Sequence, residues 1–312
     1  MILARSLDEL PPPGASGSVV SVGVFDGVHL GHRAILARNR ERARQIGACA
    51  SVVTFHDHPK RLLLGRAPRT LTSLEHRLEL FRREGIEQCL VLAFDEALRS
   101  VDAAHFADEI LKARLGARAF VLGFDSKFGR NREGTPEYLQ SLGYPVEVVP
   151  QVLVRGRAVS STAIREAVEL GDLAAAAALL GRPYSLWGEV VHGDALGRQL
   201  GFPTANLDPH HELLPPTGVY SAWAQVRGRP QPAVVNIGYR PTVRSEQPPT
   251  PRIEAHLIGF SGDLYGQTLE LEFVQRLREE QRFASLAELR AQIGRDVESA
   301  RGSLQVRTLE AR

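Results

Sequence analysis

The chain has 312 residues, which at roughly 150 residues per domain predicts two domains. Hydrophobic residues make up 43% and charged residues 24%, as in folded globular chains, so disordered and fibrous classes are excluded. The formal net charge is only +2, so the composition predicts no nucleic-acid partner and no membrane-surface partner.

No apolar run approaches the roughly 20 residues that span a bilayer. The segment Met1–Leu10 lacks the basic and apolar regions of a secretory signal. Cys49 and Cys89 fall inside apolar runs without metal-binding spacing, which is typical of two buried free thiols in a reducing compartment. We therefore expect a cytoplasmic protein with small-molecule partners, as a monomer or weak homo-oligomer.

The first 150 residues alternate between short apolar runs and amphipathic stretches. Strands are predicted at Ser18–Phe25, Ala48–Phe55, Cys89–Phe94, Ala119–Phe124 and Val146–Val149. Helices are predicted at Gly31–Ile46, from a capping box at Thr72–Glu75 to about Glu84, and at Asp102–Leu115. This alternation indicates a parallel sheet with crossover helices.

The pattern changes near Pro183. Helical sequence over Ala163–Leu180, broken at Gly171-Asp172, precedes short strand-like runs separated by turn residues. These runs are Ser185–Val191, Val219–Val226, Ala233–Ile237, Ile253–Ile258 and Leu269–Phe273, followed by a helix over Ser285–Ala300. The second half therefore predicts a closed antiparallel barrel with a terminal helix.

A glycine- and histidine-rich segment follows the first predicted strand and opens the first helix. It reads Gly23-Val-Phe-Asp-Gly-Val-His-Leu-Gly-His32. At such a junction, unpaired helix N–H groups and the helix dipole favour an anion. Gly27 and Gly31 allow the backbone to approach a ligand closely. His29 and His32 can donate hydrogen bonds to one phosphate, so the segment predicts phosphate chemistry.

A second glycine-rich segment, Gly193–Asn206, ends in the sequence Pro-Thr-Ala-Asn. Gly193, Gly197 and Gly201 can wrap a polyphosphate without side-chain collision. Thr204 and Asn206 offer hard oxygen ligands that suit Mg²⁺ together with phosphate oxygens. The segment lacks the GK[ST] of a Walker A loop, and it predicts a magnesium–ATP site of another kind.

The first segment resembles the HxGH class of nucleotidyltransferases. Its longer form, GxFDGxHxGH, is similar to the adenylyltransferase module of prokaryotic FAD synthetases, the bifunctional riboflavin kinase/FMN adenylyltransferases. The second segment resembles the riboflavin kinase module of the same family. Further segments that resemble this kinase module are Gly218–Tyr220, Asn236–Thr242, Glu254–Leu257 and Gly262–Gly266.

The resemblance covers the chain from about Ser18 to Arg301. It implies an α/β Rossmann-like nucleotidyltransferase domain over residues 1–182 and an antiparallel β-barrel riboflavin kinase domain with a terminal helix over residues 183–312. It also implies that ATP phosphorylates riboflavin to FMN with Mg²⁺, and that FMN is then adenylylated to FAD with release of pyrophosphate.

The resemblance also implies residue roles. Catalytic roles fall to Glu254, as the base for the ribityl 5′-hydroxyl, and to His29 and His32, which stabilise adenylyl transfer. The implied ATP-binding residues are Gly23, Phe25, Asp26, Gly27, His29, His32, Ser161, Thr162, Arg165, Gly193, Gly197, Gly201, Thr204 and Asn206. Thr204 and Asn206 also hold the metal. The implied flavin-binding residues are His58, Asp125, Asn236 and Arg240. Arg276 and Arg278 are expected to cover the surface.

Three positions depart from the family pattern. Asp57 replaces a proline, Ser126 replaces an aromatic residue, and Thr135 falls where an acidic residue is common. A lost ring stacks less well on an isoalloxazine. Two alternatives therefore stay open: a riboflavin kinase with a weak or silent adenylyltransferase domain, and a flavin-binding regulator without turnover.

Overall fold

The computed structural model describes residues 1–193, 196–209, 213–239 and 251–310. The chain forms two compact units, Met1–Ser161 and Thr162–Arg312. The predicted domain boundary between residues 182 and 183 stays a prediction.

The first unit contains strands and helices in alternation. Its strands are β1 (Ile2–Ala4), β2 (Ser18–Val22), β3 (Cys49–Phe55), β4 (Gln88–Leu92), β5 (Ala117–Gly123), β6 (Val146–Val149), β7 (Leu153–Val154) and β8 (Arg157–Ala158). Its helices are α1 (Leu30–Ile46), α2 (Lys60–Leu64), α3 (Leu74–Arg83), α4 (Glu96–Ser100), α5 (Ala103–His105) and α6 (Pro136–Ser141). A π-helical segment, Phe106–Arg114, continues α5, and a 3₁₀ turn covers Arg130–Arg132.

The central sheet has six parallel strands in the order β1-β4-β3-β2-β5-β6. The chain order reverses between β2 and β5, and the ends of strands at such a switch point form a ligand crevice. Neighbouring residues on β2 enter different hydrophobic clusters, Val19 with α1 and α3, and Val20 with the π-helical segment. The sheet is therefore covered by helices on both faces, as a parallel sheet requires.

The second unit begins with two helices and continues as a barrel. The elements are α7 (Ser161–Glu169), α8 (Leu173–Leu180), β9 (Ser185–Val191), α9 (Leu196–Gln199), β10 (Ala205–Asp208), β11 (Gly218–Val226), β12 (Arg229–Tyr239), β13 (Pro251–Leu257), β14 (Thr268–Arg278) and α10 (Leu286–Glu310). Six antiparallel strands close in the order β10-β13-β12-β11-β14-β9. Asp172 caps α8 through a hydrogen bond from the Ala175 N–H, as the break at Gly171 predicts.

Helix α10 packs on the outer wall of the barrel. Its apolar residues Ile293, Val297 and Ala300 join Val219 and Val234 in one hydrophobic cluster. The helix is also anchored by a buried ion pair, in which Arg278 on β14 binds Asp296 through two nitrogens at 2.8–3.1 Å. Burial of this apolar face and this pair fixes α10 against the strands.

The fold class predicted from the sequence is confirmed, and the differences concern element boundaries and short elements that were not predicted. Strand β2 ends at Val22 instead of Phe25, because Phe25 takes a left-handed backbone with φ of 53° that cannot continue a strand. Thr72 is not the cap of α3, since Ser73 accepts the hydrogen bond from the His76 N–H. The short strands β1 and β10 were missed, and α10 extends ten residues beyond the predicted end at Ala300.

Both cysteines are free, with Cys89 buried and Cys49 partly exposed. Burial raises the pKa of the Cys89 thiol to about 12. Among the described residues, no helix combines the length and apolar character needed to cross a bilayer.

Candidate active sites

The first candidate site lies at the junction of β2 and α1, where the glycine- and histidine-rich segment folds into a tight loop. Phe25, Gly27 and Val28 have positive φ of 53°, 81° and 40°. His29 is the N-cap of α1, and its Nδ1 accepts the backbone N–H of His32 at 3.3 Å. The loop thus delivers two histidines to the start of a helix, the position that favours an anion.

The two histidine rings are stacked. Their centroids lie 3.6 Å apart at an interplanar angle of 16°. A Cβ at position 31 would approach the His29 ring within 3.2–3.3 Å. The absence of a side chain at Gly31 therefore avoids a close contact with this ring. Because His29 Nδ1 accepts a hydrogen bond, the neutral ring carries its proton on Nε2. The His29 Nε2–H can therefore act as a donor to a phosphate oxygen.

His32 is held in its neutral form. Burial, the neighbouring His29 and the Arg77 guanidinium together hold the pKa of His32 well below 6.5. Its Nδ1 is buried without a hydrogen-bond partner among the described residues. The Phe25 ring packs against the His32 ring in an edge arrangement, with 5.2 Å between the ring centroids. At neutral pH His32 therefore offers a hydrogen bond instead of a full positive charge.

Asp26, predicted to bind ATP, directs its carboxylate into the protein. Its Oδ1 accepts the backbone N–H groups of Leu71 at 2.8 Å and Thr72 at 3.2 Å, and the residue as a whole is 3% exposed. The Gly27 N–H donates to Thr72 Oγ1 at 3.1 Å. Ser161 Oγ donates to the Asp26 carbonyl at 3.0 Å. These bonds tie the loop to the segment that precedes α3.

Arg77 on α3 is a functional candidate that sequence reasoning missed. It is 3% exposed, and its Nη2 donates to the Phe55 carbonyl at the end of β3. The sequence contains a signal for this residue, because a charged Arg77 falls within the apolar face of α3 that is formed by Leu74, Leu78 and Phe81. A buried guanidinium beside His32 contributes positive potential where phosphates are expected.

A cavity of 670 Å³ adjoins this loop. Gly23 and His58, which the sequence predicts to bind ATP and flavin, line it. Its other lining residues include four phenylalanines and five cations: Phe55, Phe94, Phe106, Phe128, Lys60, Arg99, Lys127, Arg130 and Arg132. Asp125 is exposed after the end of β5 and is not among the lining residues. The cavity combines aromatic surface with positive charge.

The structure shows the surroundings of the three residues that depart from the family pattern. Asp57 is exposed and pairs with His56 and Arg61. Thr135 is the N-cap of α6, where its Oγ1 accepts the Tyr138 N–H at 3.2 Å. Ser126 does not line the 670 Å³ cavity, whereas four phenylalanines do. A serine at position 126 therefore leaves the aromatic wall of this cavity intact.

Thr162 and Arg165, predicted to orient the triphosphate, lie on α7. This helix begins at Ser161, and these two residues belong to the second compact unit. Thr162 is exposed and Arg165 is partly buried.

The second candidate site is a row of polar side chains across three neighbouring barrel strands. In the strand register Asn206 on β10 faces Glu254 on β13, and Glu254 faces Asn236 on β12. Directly opposed residues of antiparallel strands present their side chains on the same face. Asn236, Glu254 and Thr204 line a cavity of 290 Å³ that is closed on its other side by α10.

Glu254 is held by neighbours on its own strand. Arg252, two residues earlier, donates from Nη1 to Glu254 Oε1 at 3.2 Å. His256, two residues later, donates from its ring Nδ1 to the Pro203 carbonyl at 2.9 Å, because a carbonyl can only accept. His256 thus connects the strand of Glu254 to the residue that precedes Thr204.

The glycines of the second motif lie directly against the predicted metal ligands. A Cβ at Gly193 would come within 2.1–2.6 Å of the Asn206 amide group, and a Cβ at Gly197 within 3.2 Å of Thr204 Oγ1. Gly201 has a φ of 88° and ends the turn after α9. A side chain at position 193 would therefore overlap the Asn206 amide, and one at position 197 would approach the Phe202 carbonyl oxygen within 2.4 Å. Arg240, predicted to bind flavin, lies outside the described residues.

The expectation that Arg278 covers the surface is wrong. Arg278 lines the 290 Å³ cavity together with its partner Asp296. Its side chain is 20% exposed, because α10 covers it. Arg276 is also partly buried and donates to the Thr217 carbonyl at 2.5 Å.

Comparison with known proteins gives a consistent result for the whole chain. A family model of FAD synthetase matches residues 12–163, and a family model of riboflavin kinase matches residues 180–304. A bifunctional riboflavin kinase/FMN adenylyltransferase of Pseudomonas fluorescens is 42% identical over 96% of this chain and 97% of its own length. The enzyme of the same name from Bacillus subtilis is 36% identical over 91% of each chain.

A solved structure agrees with these matches at the level of the fold. The crystal structure of a Streptococcus pneumoniae protein described as a macrolide-efflux protein is 31% identical, with a TM-score of 0.82. The alignment covers 96% of this chain and 98% of that one. Both family models and the curated relatives support one conclusion. The chain belongs to the bifunctional riboflavin kinase/FMN adenylyltransferase family.

Proposed function

We propose that each compact unit carries one reaction of the family, with the residues described above in specific roles. The barrel phosphorylates riboflavin to FMN, and the sheet unit adenylylates FMN to FAD with release of pyrophosphate. The observation that carries this assignment is that each unit has its own cavity beside its own glycine-containing loop. The two family models fall on the two halves in the same order.

In the barrel, Glu254 is the general base. The ribityl 5′-oxygen forms a bond to the γ-phosphorus of ATP while the bond from that phosphorus to the leaving ADP oxygen breaks, and Glu254 takes the hydroxyl proton. Its hydrogen bond from Arg252 fixes the carboxylate beside Asn236. Phosphoryl transfer mainly needs positioning and one oriented proton acceptor, and this row supplies both.

The donor set around Gly193 and Gly197 fits Mg²⁺. Thr204 and Asn206 offer a hydroxyl and an amide oxygen, both hard ligands, and the two glycines leave the space that a Cβ would fill. We propose that these two residues hold Mg²⁺ with ATP phosphate oxygens. The bound ion would neutralise charge on the phosphates, while the glycine loop follows the polyphosphate chain.

In the sheet unit, a phosphate oxygen of FMN attacks the α-phosphorus of a second ATP, and pyrophosphate leaves. This nucleophile is already ionised near neutral pH, so no general base is needed. His29 and His32 donate hydrogen bonds to the charge that develops on the α-phosphate. Ser161, Thr162 and Arg165 orient the triphosphate, for which a guanidinium on a helix start is well suited.

The 670 Å³ cavity is the proposed FMN site. Its phenylalanine rings can contact the isoalloxazine, and its five cations can attract the FMN phosphate. His58 and Gly23 lie at its wall. The aromatic lining supports a working adenylyltransferase and weakens the alternative of a silent one. We further propose a cytoplasmic protein that acts as a monomer or weak homo-oligomer.

Chromatography of flavins tests this function directly. One reaction starts from riboflavin, ATP and Mg²⁺, and a parallel reaction starts from FMN. FAD in both reactions is the expected result. FMN from riboflavin without FAD in either reaction would mean that the sheet unit is silent. Unchanged riboflavin that co-elutes with the protein would indicate a flavin-binding regulator.

A further inference from the structure

The loop that carries His29 has a backbone that its sequence does not favour. Phe25 and Val28 take left-handed conformations with φ of 53° and 40°. A side chain with a Cβ avoids this region, and a branched residue such as valine avoids it most. The loop therefore needs support from residues outside it to keep this shape.

That support comes from the residues before α3, 45 positions further along the chain. The Gly27 N–H donates to Thr72 Oγ1 at 3.1 Å, while Asp26 Oδ1 accepts the Leu71 and Thr72 N–H groups. The Thr72 hydroxyl itself lies 3.5 Å from Asp26 Oδ1, toward which it can donate. Thr72 is 2% exposed and Asp26 3% exposed, so water does not replace these bonds.

Thr72 has no role in capping its own helix. Ser73 is the N-cap of α3 and accepts the His76 N–H at 3.2 Å. The Thr72 hydroxyl thus accepts from the loop, and the Ser73 hydroxyl accepts from the first turn of the helix. These two hydrogen bonds can be removed one at a time by neighbouring substitutions.

We propose that Thr72 is a positioning residue for adenylyl transfer, whose hydroxyl holds the left-handed loop so that His29 and His32 meet the α-phosphate. The inference rests on the proposed function of this loop. Thr72 acts through Gly27 and Asp26, and it touches no reacting atom. Small displacements of catalytic groups reduce turnover strongly, because the groups must be aligned in the transition state.

The main test is Thr72→Val, which keeps the shape of the side chain and removes the hydroxyl. The buried Gly27 N–H then loses the Thr72 hydroxyl as an acceptor. With FMN and ATP as substrates, we expect kcat for FAD formation to fall by roughly 10- to 100-fold. The KM for ATP should change by less than about threefold, because the misplaced groups act mainly in the transition state.

Two matched variants separate positioning from stability. Thr72→Ser restores the hydroxyl and should recover most of the lost kcat. Ser73→Ala removes the hydroxyl that caps the same helix and keeps the Thr72 hydroxyl that accepts from Gly27, so it should leave FAD formation near the wild-type rate. Should Thr72→Val not fold, Thr72→Ala is assayed with the same criteria. Formation of FMN from riboflavin in each preparation verifies that the chain is folded.

Three results would overturn the inference. They are a Thr72→Val enzyme with wild-type kcat, a Thr72→Ser enzyme as impaired as Thr72→Val, and a Ser73→Ala enzyme that loses as much FAD formation. Failure of the proposed function looks different, since wild-type protein would then make no FAD from FMN. The rates of the variants are therefore expressed relative to the wild-type rate of FAD formation in the same assay.

Discussion

At the proposed adenylyltransferase site, a histidine that stays neutral gives the protein a specific pH dependence. Burial, His29 and Arg77 hold the pKa of folded His32 well below 6.5, whereas an unfolded histidine titrates near about 6.5. Between these values the unfolded chain binds more protons than the folded chain. The contribution of His32 to stability is therefore present above pH ~6.5 and is lost as pH falls below it.

The variant His32→Gln tests this sign. Between about pH 7.5 and about pH 5.5, wild-type protein should lose more stability than the variant, by at most about 1.4 kcal/mol, the value of one pH unit. Thermal unfolding followed by circular dichroism at both pH values measures the difference. The other histidines are present in both proteins, so their contributions largely cancel. Equal losses in both proteins would show that His32 is not held neutral in the folded state.

At the scale of elements, an ion pair that is largely buried helps to anchor α10. Asp296 is 4% exposed and accepts from Arg278 and from Gln292 Nε2, the latter at 2.8 Å. Asp296→Asn leaves the Arg278 charge without its counterion. Loss of one partner of a buried pair costs about 3 kcal/mol, whereas replacement of both by apolar residues is often tolerated. The double variant Arg278→Met with Asp296→Leu should therefore recover much of the loss.

Urea unfolding followed by tryptophan fluorescence measures this effect in the barrel alone. Both tryptophans of the chain, Trp187 and Trp223, lie on barrel strands. The matched control is Glu298→Gln on the same helix, because Glu298 forms an exposed pair with Arg301 at 3.6 Å. Exposed pairs contribute at most about 1 kcal/mol. A midpoint for Asp296→Asn no lower than that of Glu298→Gln would contradict the anchoring role.

Sequence-based prediction succeeds for features that depend on neighbouring residues and fails for contacts between distant residues. Hydrophobic runs and turn residues predicted the parallel sheet and the barrel, because the apolar residues within one run indicate that this run is buried. Strand β10 was missed, since its four residues include the polar Asn206 and Asp208. The bond between Thr72 and Gly27 joins residues 45 positions apart. The pair of Arg278 and Asp296 lies across two elements, and no local pattern predicts either contact.

The candidate sites were predicted unevenly for the same reason. His29 and His32 stand at the start of α1, and Asn206 stands near the start of β10. At such positions a local pattern indicates a phosphate or metal site. The cations of the 670 Å³ cavity come from α2, α4 and the segment after β5, so only the fold brings them together. Asp26 belongs to a motif, yet its carboxylate is directed inward to hydrogen-bond the backbone. A motif therefore identifies a position without fixing the direction of its side chain.

At the scale of the whole molecule, two catalytic units on one chain raise the question of whether FMN passes through solution. Each unit has its own hydrophobic core and its own cavity. Glu254→Ala should lower FMN formation by roughly 10²- to 10⁴-fold through loss of the proton acceptor, while conversion of supplied FMN to FAD continues. His32→Ala should impair only FAD formation.

A mixture of these two variants then tests the route of FMN. We expect FAD to form from riboflavin in the mixture, because FMN released by His32→Ala protein can enter the intact sheet unit of Glu254→Ala protein. The rate should rise with the concentration of the second variant, as it does for a freely diffusing intermediate. Chromatography of flavins over time gives both quantities. If each variant performs its own half-reaction but the mixture yields no FAD, FMN is not exchanged through solution and the two units must act on it within one chain.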